Sequence, residues 1–255
     1  MLRPRVIPCL LIKNKGLVKT VNFEKPKYVG DPINAVKIFN EKEADELIIL
    51  DIDATSQDKD PDYQMIKNLA LECRMPLCYG GGVITVEQIV RIISLGVEKV
   101  AISAAAIKEP LLISQAAEKV GSQSIVVVID VKKKRLGGRY EVYTHNGTQS
   151  TKLELVDFAR KIESLGAGEI VINSIDRDGG MQGYDLKLVE KVRNAVNIPL
   201  TILGGAGAHG HINELVRQFG NIGAAAGSLF VFKGKYRAVL INYPNLIEKD
   251  KMIMF

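Results

Sequence analysis

The sequence predicts a single α/β domain of the (β/α)8 barrel class, built from two similar half-barrels. Such a barrel typically needs about 250 residues, and the chain has 255. A shift of 123 positions places Glu46 on Glu169 and Gly81 on Gly204, and an internal period this long indicates a duplicated architecture. Eight short apolar runs alternate with helix-like segments, as expected of parallel strands buried on both faces. The predicted halves are, roughly, residues 1–120 and 121–255.

Each apolar run is predicted to form one barrel strand. The runs are Arg5–Ile12, Leu47–Ile52, Leu77–Tyr79, Lys99–Ser103, Ser124–Val131, Ile170–Ser174, Leu200–Leu203 and Ala224–Gly227. Helix-period segments lie between them, and two begin with capping signals: Asp31 precedes a proline, and Thr85 opens a Thr-Val-Glu-Gln sequence. The predicted helices are Asp31–Lys42, Thr85–Leu95, Leu153–Leu165 and Leu186–Ala195.

Several connections between these elements also carry predictions. The segment Gly16–Phe23 is predicted as a loop after the first strand. Gly137–Thr151 reads as a hairpin-bearing loop after the fifth strand, and thus as an insertion in one half only. The basic run Lys132–Arg135 and the His209-Gly-His211 sequence are predicted to be solvated loops, since neither has the spacing of a metal or nucleic-acid site.

Composition narrows the class of protein. The net charge of +5 suits anionic small molecules, and without aromatic residues among the basic ones it does not indicate nucleic acid. No apolar run reaches the roughly 18 residues of a membrane span, and the N-terminus lacks the apolar region of a signal peptide. We therefore expect a cytoplasmic protein with no membrane contact. Three cysteines, an odd number, are predicted to be reduced core thiols: Cys9, Cys73 and Cys78.

Small residues end the strands in both halves. In a (β/α)8 barrel the active site lies at the carboxyl ends of the strands, where glycines let backbone N–H groups approach a phosphate closely. Glycines that merely end strands are the alternative, but duplication favours two phosphate sites. We call them the first glycine cradle, formed by Gly81, Gly82, Ser103 and Ala104, and the second glycine cradle, formed by Gly204, Gly205, Gly227 and Ser228.

Eight segments in order resemble the cyclase subunit, HisF, of imidazole glycerol phosphate synthase. They are Arg5–Leu10, Gly30–Pro32, Ala44–Leu47, Tyr79–Gly82, Gly121–Gln123, Ser174–Gly179, Gly183–Asp185 and Gly204–Gly207. The resemblance implies a ribulose-phosphate-binding barrel that uses neither cofactor nor metal. It also implies a HisH-like glutaminase partner, whose ammonia crosses the barrel to cleave and cyclise a two-phosphate aminoimidazole ribotide.

The resemblance also assigns residues at the barrel mouth. Asp130 matches one of the family's two catalytic aspartates, but Leu11 stands where the other is expected. Proton transfer in ring closure needs an acid and a base, and leucine can be neither. Lys19 and Asp178 are predicted to bind substrate, with a solvated lysine as the alternative for Lys19. Two further predicted substrate contacts depart from the family's Asn and Thr: Ser103 and Asn173.

Four charged residues open the predicted strands: Arg5, Glu46, Lys99 and Glu169. Unpaired charges at the ends of apolar strands are costly, so two positive and two negative groups are expected to form one neutral ring. We call this group the charge ring. It resembles the family's gate for ammonia at the amino-terminal face, where the glutaminase would dock. Four independent surface charges are the alternative.

An ammonia entrance without the second aspartate resembles the divergent cyclase-like proteins of bacterial surface-polysaccharide (lipopolysaccharide) synthesis. That resemblance implies a subunit that delivers ammonia in a glutamine-dependent complex, together with a separate sugar amidotransferase. Two alternatives stay open: a working cyclase of histidine biosynthesis that uses Asp130, and a catalytically silent scaffold that activates the glutaminase. A related ribotide isomerase is less favoured, because it would not need the charge ring. The sequence does not identify the ammonia acceptor.

Overall fold

The computed structural model describes residues 3–134 and 138–253. Its strands are β1 (Arg5–Lys13), β2 (Gly16–Val21), β3 (Glu24–Gly30), β4 (Leu47–Asp51), β5 (Leu77–Gly80), β6 (Lys99–Ile102), β7 (Ile125–Lys133), β8 (Tyr140–Thr144), β9 (Gln149–Glu154), β10 (Glu169–Ser174), β11 (Leu200–Leu203), β12 (Gly223–Ala226), β13 (Phe232–Lys233) and β14 (Ala238–Val239). The helices are α1 (Pro32–Glu41), α2 (Tyr63–Glu72), α3 (Val86–Ser94), α4 (Ala104–Lys108), α5 (Leu111–Val120), α6 (Leu155–Ser164), α7 (Leu186–Arg193), α8 (His209–Phe219), α9 (Ser228–Val231) and α10 (Leu246–Ile253). Short 3-10 turns occur at Ser122–Ser124 and Ile175–Arg177.

Eight parallel strands close into a barrel. The order around it is β1, β4, β5, β6, β7, β10, β11 and β12, and β12 pairs with β1 to complete the circle. Helices follow the strands, so the predicted (β/α)8 barrel is confirmed. The predicted boundary between half-barrels remains a prediction.

The inward faces of the strands form a narrow apolar core inside the barrel. Side chains alternate along a strand, so β1 sends Ile7 and Cys9 inward while Val6 and Leu10 pack against the helices. The interior cluster contains Ile7, Cys9, Ile48, Cys78, Ala101, Val126, Val128, Val171, Leu203 and Ala225, with Leu11 and Leu50 packed against it. Cys9 and Cys78 are buried free thiols, as predicted, whereas Cys73 is only partly buried.

The helices begin where the sequence predicted capping. Asp31 accepts a hydrogen bond from the Asn34 amide at 2.9 Å, and Thr85 forms a complete capping box with Gln88. The predicted helix at Leu153 begins two residues later, because Leu153 belongs to β9 and Glu154 caps α6. No helix among the described residues is long and apolar enough to cross a membrane.

Three predicted loops are ordered elements. The segment after β1 is not a loop but the antiparallel pair β2 and β3, so a hairpin follows β1 as well as β7, and the predicted insertion in one half only is wrong. Lys132 and Lys133 extend β7 against β8, while Arg135 and Gly137 lie outside the described residues. His209 and His211 lie in the first turn of α8, so this predicted loop is helical.

Candidate functional site

A cavity opens at the carboxyl ends of the barrel strands. Each of the eight strands contributes to its lining, and hairpin residues from β2 cover one side. The cavity brings together every residue that the sequence placed at the mouth: Lys19, Gly81, Gly82, Ser103, Ala104, Asp130, Asn173, Asp178, Gly204, Gly205, Gly227 and Ser228. This is the position of active sites in barrels of this class.

The first glycine cradle depends on close backbone packing after β5. Gly81 has φ +133°, and a Cβ there would lie 2.6 Å from the Asp51 carbonyl oxygen. Gly82 has φ +69°, and its Cβ would lie 2.5 Å from the Lys59 carbonyl oxygen. Only glycine fits either position, which keeps this rim of the cavity free of side chains.

The second glycine cradle repeats this construction after β11. A Cβ on Gly205, at φ +112°, would lie 2.1 Å from the Gly183 carbonyl oxygen, and the Gly183 amide donates to the Gly205 carbonyl at 2.8 Å. Ser228 lies across the cradle with its hydroxyl buried and without a hydrogen-bond partner in the described chain. A buried hydroxyl of this kind is ready to donate to an anion.

Asp130 and Asn173 form a polar pair at the ends of β7 and β10. They occupy neighbouring positions in the parallel register, and the Asn173 side-chain amide donates to the Asp130 carboxylate at 3.0 Å. Burial raises the pKa of Asp130 to about 7, with a smaller raising effect from Asp178, while the hydrogen bond from Asn173 works in the opposite direction. A carboxyl with this pKa can exchange a proton near neutral pH.

A second polar pair joins the β2–β3 hairpin to the loop after β10. Lys19 Nζ lies 2.6 Å from Asp178 Oδ1, and both side chains are buried. The Thr20 hydroxyl donates to Asp178 Oδ2 at 2.7 Å. The Lys19 chain crosses Gly227, where a Cβ would lie 2.9 Å from its Cε. Lys19 is therefore fixed at the mouth, and the alternative of a solvated lysine is wrong.

Leucine side chains also line the mouth. Leu11 lines the cavity where the resemblance implied an aspartate, with Leu50 beside it on β4, and Leu203 lies beside Asn173 on β11. Thr20 also lines the cavity, and no sequence motif marks Thr20, Leu50 or Leu203 as part of the site. The two leucines could have been found from strand alternation, because Leu50 lies four residues after Glu46 on the inward face of β4, and Leu203 lies two after Thr201 on β11.

The charge ring lies at the other end of the barrel. Arg5 pairs with Glu46 and, at 2.7 Å, with Glu169. Lys99 Nζ lies 2.8 Å from a carboxylate oxygen of each glutamate, so four charges alternate around a closed circuit. Thr201 donates to Glu169 at 2.6 Å. The alternative of four independent surface charges is wrong.

Burial and ion pairing shift the pKa values of the ring residues in opposite directions. Burial favours the neutral form of Glu169, but Arg5 and then Lys99 outweigh it and lower its pKa to about 2. Burial opposes the charge of Lys99 as well, yet the two glutamates outweigh it and raise the pKa of Lys99. Arg5, Lys99 and Glu169 therefore stay charged at neutral pH.

The inward column of β1 connects the two ends of the barrel. It runs from Arg5 in the charge ring through Ile7 and Cys9 to Leu11 at the mouth. Six residues of strand span about 20 Å. The interior between the two ends is apolar, so a neutral small molecule is better suited to it than an ion.

Comparison with known proteins places this architecture in a family. A model of the family described as histidine biosynthesis protein matches residues 5–237. The chain belongs to this family. A HisF-type relative, named putative imidazole glycerol phosphate synthase subunit hisF3, from Vibrio vulnificus, is 59% identical over 253 residues, covering 99% of this chain and 97% of its own.

Two other relatives support assignment to the HisF type. The Pseudomonas aeruginosa protein named putative imidazole glycerol phosphate synthase subunit hisF2 is 52% identical over 98% of this chain and 99% of its own. The Lactococcus lactis imidazole glycerol phosphate synthase subunit HisF is 43% identical over 90% of this chain and 89% of its own. The present protein is therefore a HisF-type cyclase subunit by family, and the resemblance inferred from its motifs is confirmed.

Proposed function

We propose that this HisF-type chain conducts ammonia within a glutamine-dependent amidation complex for surface-polysaccharide sugars. A HisH-like glutaminase docks at the amino-terminal face and releases ammonia there. The ammonia passes through the charge ring and the apolar interior to the mouth. A phosphorylated small molecule occupies the mouth, and a separate sugar amidotransferase completes the complex.

The charge ring is the observation that carries this proposal. A barrel needing only stability could close its end with apolar side chains, which are often as stable as buried ion pairs or more so. The ring instead holds Lys99 between two glutamates by two contacts of 2.8 Å. A lysine on a flexible stem can leave such a site without backbone movement. The ring is thus suited to open for a small molecule and to close behind it.

The side chains at the barrel mouth favour delivery of ammonia over closure of the imidazole ring in this chain. Asp130 can act as an acid or a base near neutral pH, while Leu11, where the resemblance implies a second aspartate, offers no proton-transfer group. Loss of one member of such a pair typically costs about 10²–10⁴-fold in rate. Two relatives carry the numbered names hisF3 and hisF2. Such numbering is expected where one organism encodes more than one HisF-type chain.

The alternative function is that of a working imidazole glycerol phosphate synthase cyclase, which yields imidazole glycerol phosphate and AICAR in histidine biosynthesis. The names of the relatives favour it, and so does the pKa of Asp130, which suits proton transfer. Another polar side chain that lines the mouth, such as Lys19, Asp51 or His145, would then have to supply the second proton-transfer group. A third candidate, a scaffold that only activates the glutaminase, would use the amino-terminal face but not the interior.

Reconstitution with a HisH-type glutaminase from the same organism tests these proposals. Glutamate released and product aminated are measured with the ribotide precursor, and then with the sugar amidotransferase and its nucleotide sugar. We expect stimulated glutamine hydrolysis, amination of the sugar and very slow turnover of the ribotide. Ribotide turnover of about 1 s⁻¹ or faster would overturn the first proposal in favour of histidine biosynthesis.

Variants of the charge ring test whether the barrel conducts ammonia or only activates the glutaminase as a scaffold. Lys99→Ala and Glu169→Ala should raise the ratio of glutamate released to product aminated, because ammonia then escapes to bulk water and is protonated. Lys249→Ala is the matched control, since Lys249 forms a buried 2.7 Å pair with Asp45 outside the ring. An unchanged ratio in both ring variants would mean that the ring is structural and that conduction through it is wrong.

A further inference from the structure

The side-chain oxygen of Asn173 is a hydrogen-bond acceptor without a protein partner at the mouth of the barrel. Asn173 is 6% exposed and lines the cavity. Its amide nitrogen donates to Asp130, as it must wherever the Asp130 carboxylate is ionised, because an ionised carboxylate can only accept. Its oxygen is buried and accepts no hydrogen bond from any described residue. Such an orphaned acceptor is unfavourable unless a ligand supplies a donor.

The surroundings of this oxygen leave one approach to it open for a ligand. Asp130 and Leu203 flank Asn173 in the parallel register, so a carboxylate lies on one side and an apolar side chain on the other. A Cβ on Gly204, at φ +95°, would lie 3.4 Å from the Asn173 oxygen. Glycine at that position therefore keeps one approach to the oxygen free of side chains.

We infer that Asn173 Oδ1 and the Asp130 carboxylate form a receiving site for ammonia. This inference rests on the proposed function, because the apolar interior of the barrel ends at these two residues. Ammonia has three N–H groups and one lone pair. Donation to the two acceptors holds the nitrogen in place and leaves its lone pair free to face an electrophile at the mouth. Asn173 is a binding residue, and no covalent step at it is required.

A matched pair of substitutions isolates the acceptor. Asn173→Thr and Asn173→Val give side chains of nearly equal shape that both suit a strand, but only threonine keeps an oxygen acceptor. The isolated chain is titrated with ammonium chloride at about pH 8.5 and again at about pH 9.5, where a carboxyl of pKa near 7 is ionised and the proportion of free ammonia differs. The carboxyl carbon resonance of Asp130 is followed by NMR, with assignment from Asp130→Asn. Tetramethylammonium chloride, which has the same charge but no N–H, is the control.

We expect a saturable shift with ammonium and none with tetramethylammonium. The apparent dissociation constant, expressed in total ammonium, should be lower at the higher pH, because more of the added salt is then free ammonia. Equal constants at the two pH values would mean that the cation binds, and would overturn the inference. The apparent dissociation constant should rise about tenfold or more in the valine variant, the effect of losing one good hydrogen bond, and much less in the threonine variant. Absence of saturation in the unmodified chain, or equal constants for the two variants, would overturn the inference.

Two further features keep the test decisive. If the valine variant does not fold, the Asn173 amide resonances of the unmodified chain provide a second measurement, and they must saturate with the same curve as Asp130. The titration needs no glutaminase. A complex that fails to transfer ammonia would therefore refute the proposed function without affecting this result, and absent ammonium binding would refute only the receiving site.

Discussion

Replacing Lys99 with methionine tests whether the charge ring acts as one electrostatic unit. Lys99 contacts both glutamates at 2.8 Å, and its removal leaves two carboxylates with Arg5 alone. Breaking a buried pair typically costs 3–5 kcal/mol. We expect about 3 kcal/mol here, near the lower end, because the Lys99 side chain is 19% exposed and Arg5 remains.

The pH dependence of this loss can be worked out from Glu169. Its pKa falls from 4.5 to about 2 on folding, and at 1.36 kcal/mol per unit this contributes about 3 kcal/mol to stability. A lowered carboxyl pKa stabilises the fold fully above pH 4.5, and the contribution is lost as the pH falls towards 2. Without Lys99 the pKa of Glu169 moves back towards its ordinary value, so less stability remains to be lost in acid.

Urea unfolding of both proteins, repeated from about pH 7 down to about pH 3, is the assay. The difference in unfolding free energy should be largest at neutral pH and shrink below about pH 4.5. Lys249→Met is the control, because it breaks a 2.7 Å buried pair with Asp45 and should lower stability without changing the acid dependence due to Glu169. If Lys99→Met kept the acid dependence of the unmodified chain, Lys99 would not be holding the pKa of Glu169 down.

The mouth of the barrel carries three further predictions. Crystals grown in high sulfate or phosphate should hold an anion at one or both glycine cradles, and bulk water alone at both would contradict the phosphate assignment. Leu11→Asp should raise any residual turnover of the ribotide, and no gain in a folded variant would show that more than this carboxylate is missing. Asp130 should titrate near pH 7, and Asp178→Asn should lower that midpoint by removing a negative neighbour. Folding raises the pKa of Asp130 from 3.8 to about 7, so the stabilising contribution of its protonated form is lost as the pH rises through 7. Asp130→Asn, which cannot ionise, should therefore be more stable than the unmodified chain at about pH 7 and above.

Much of the fold could be read from the sequence, because the barrel strands are short, apolar and regularly spaced. The run Leu200–Leu203 was predicted with its observed bounds, and the strand starting at Arg5 ends one residue later than predicted. The glycine cradles were predictable for a similar reason, since positions such as Gly205 accept no side chain. The charge ring was predictable because charges that open apolar strands need partners.

The hairpins could not be predicted equally well. Strand β3, Glu24–Gly30, is exposed over its first five residues and contains a proline, so it lacks the alternation that identifies a strand. It forms because β2 pairs with it. The Lys19–Asp178 contact joins residues 159 positions apart, and no local pattern reports such a distance. The resemblance to a family suggested both residues, but only the structure pairs them.

The placement of Leu11 and Arg5 on one strand bears on how the chain could lose one activity and keep another. Both side chains point into the barrel from β1, about 20 Å apart, with Ile7 and Cys9 between them. A change at the mouth therefore removes a proton-transfer group without touching the ring, because changes this far apart that share no partner combine independently. Reaction chemistry at the mouth and the proposed ammonia entry at the charge ring are thus separable along a single strand. The proposed delivery function requires that separation, since its acceptor would lie on another protein while its entrance would still meet a glutaminase.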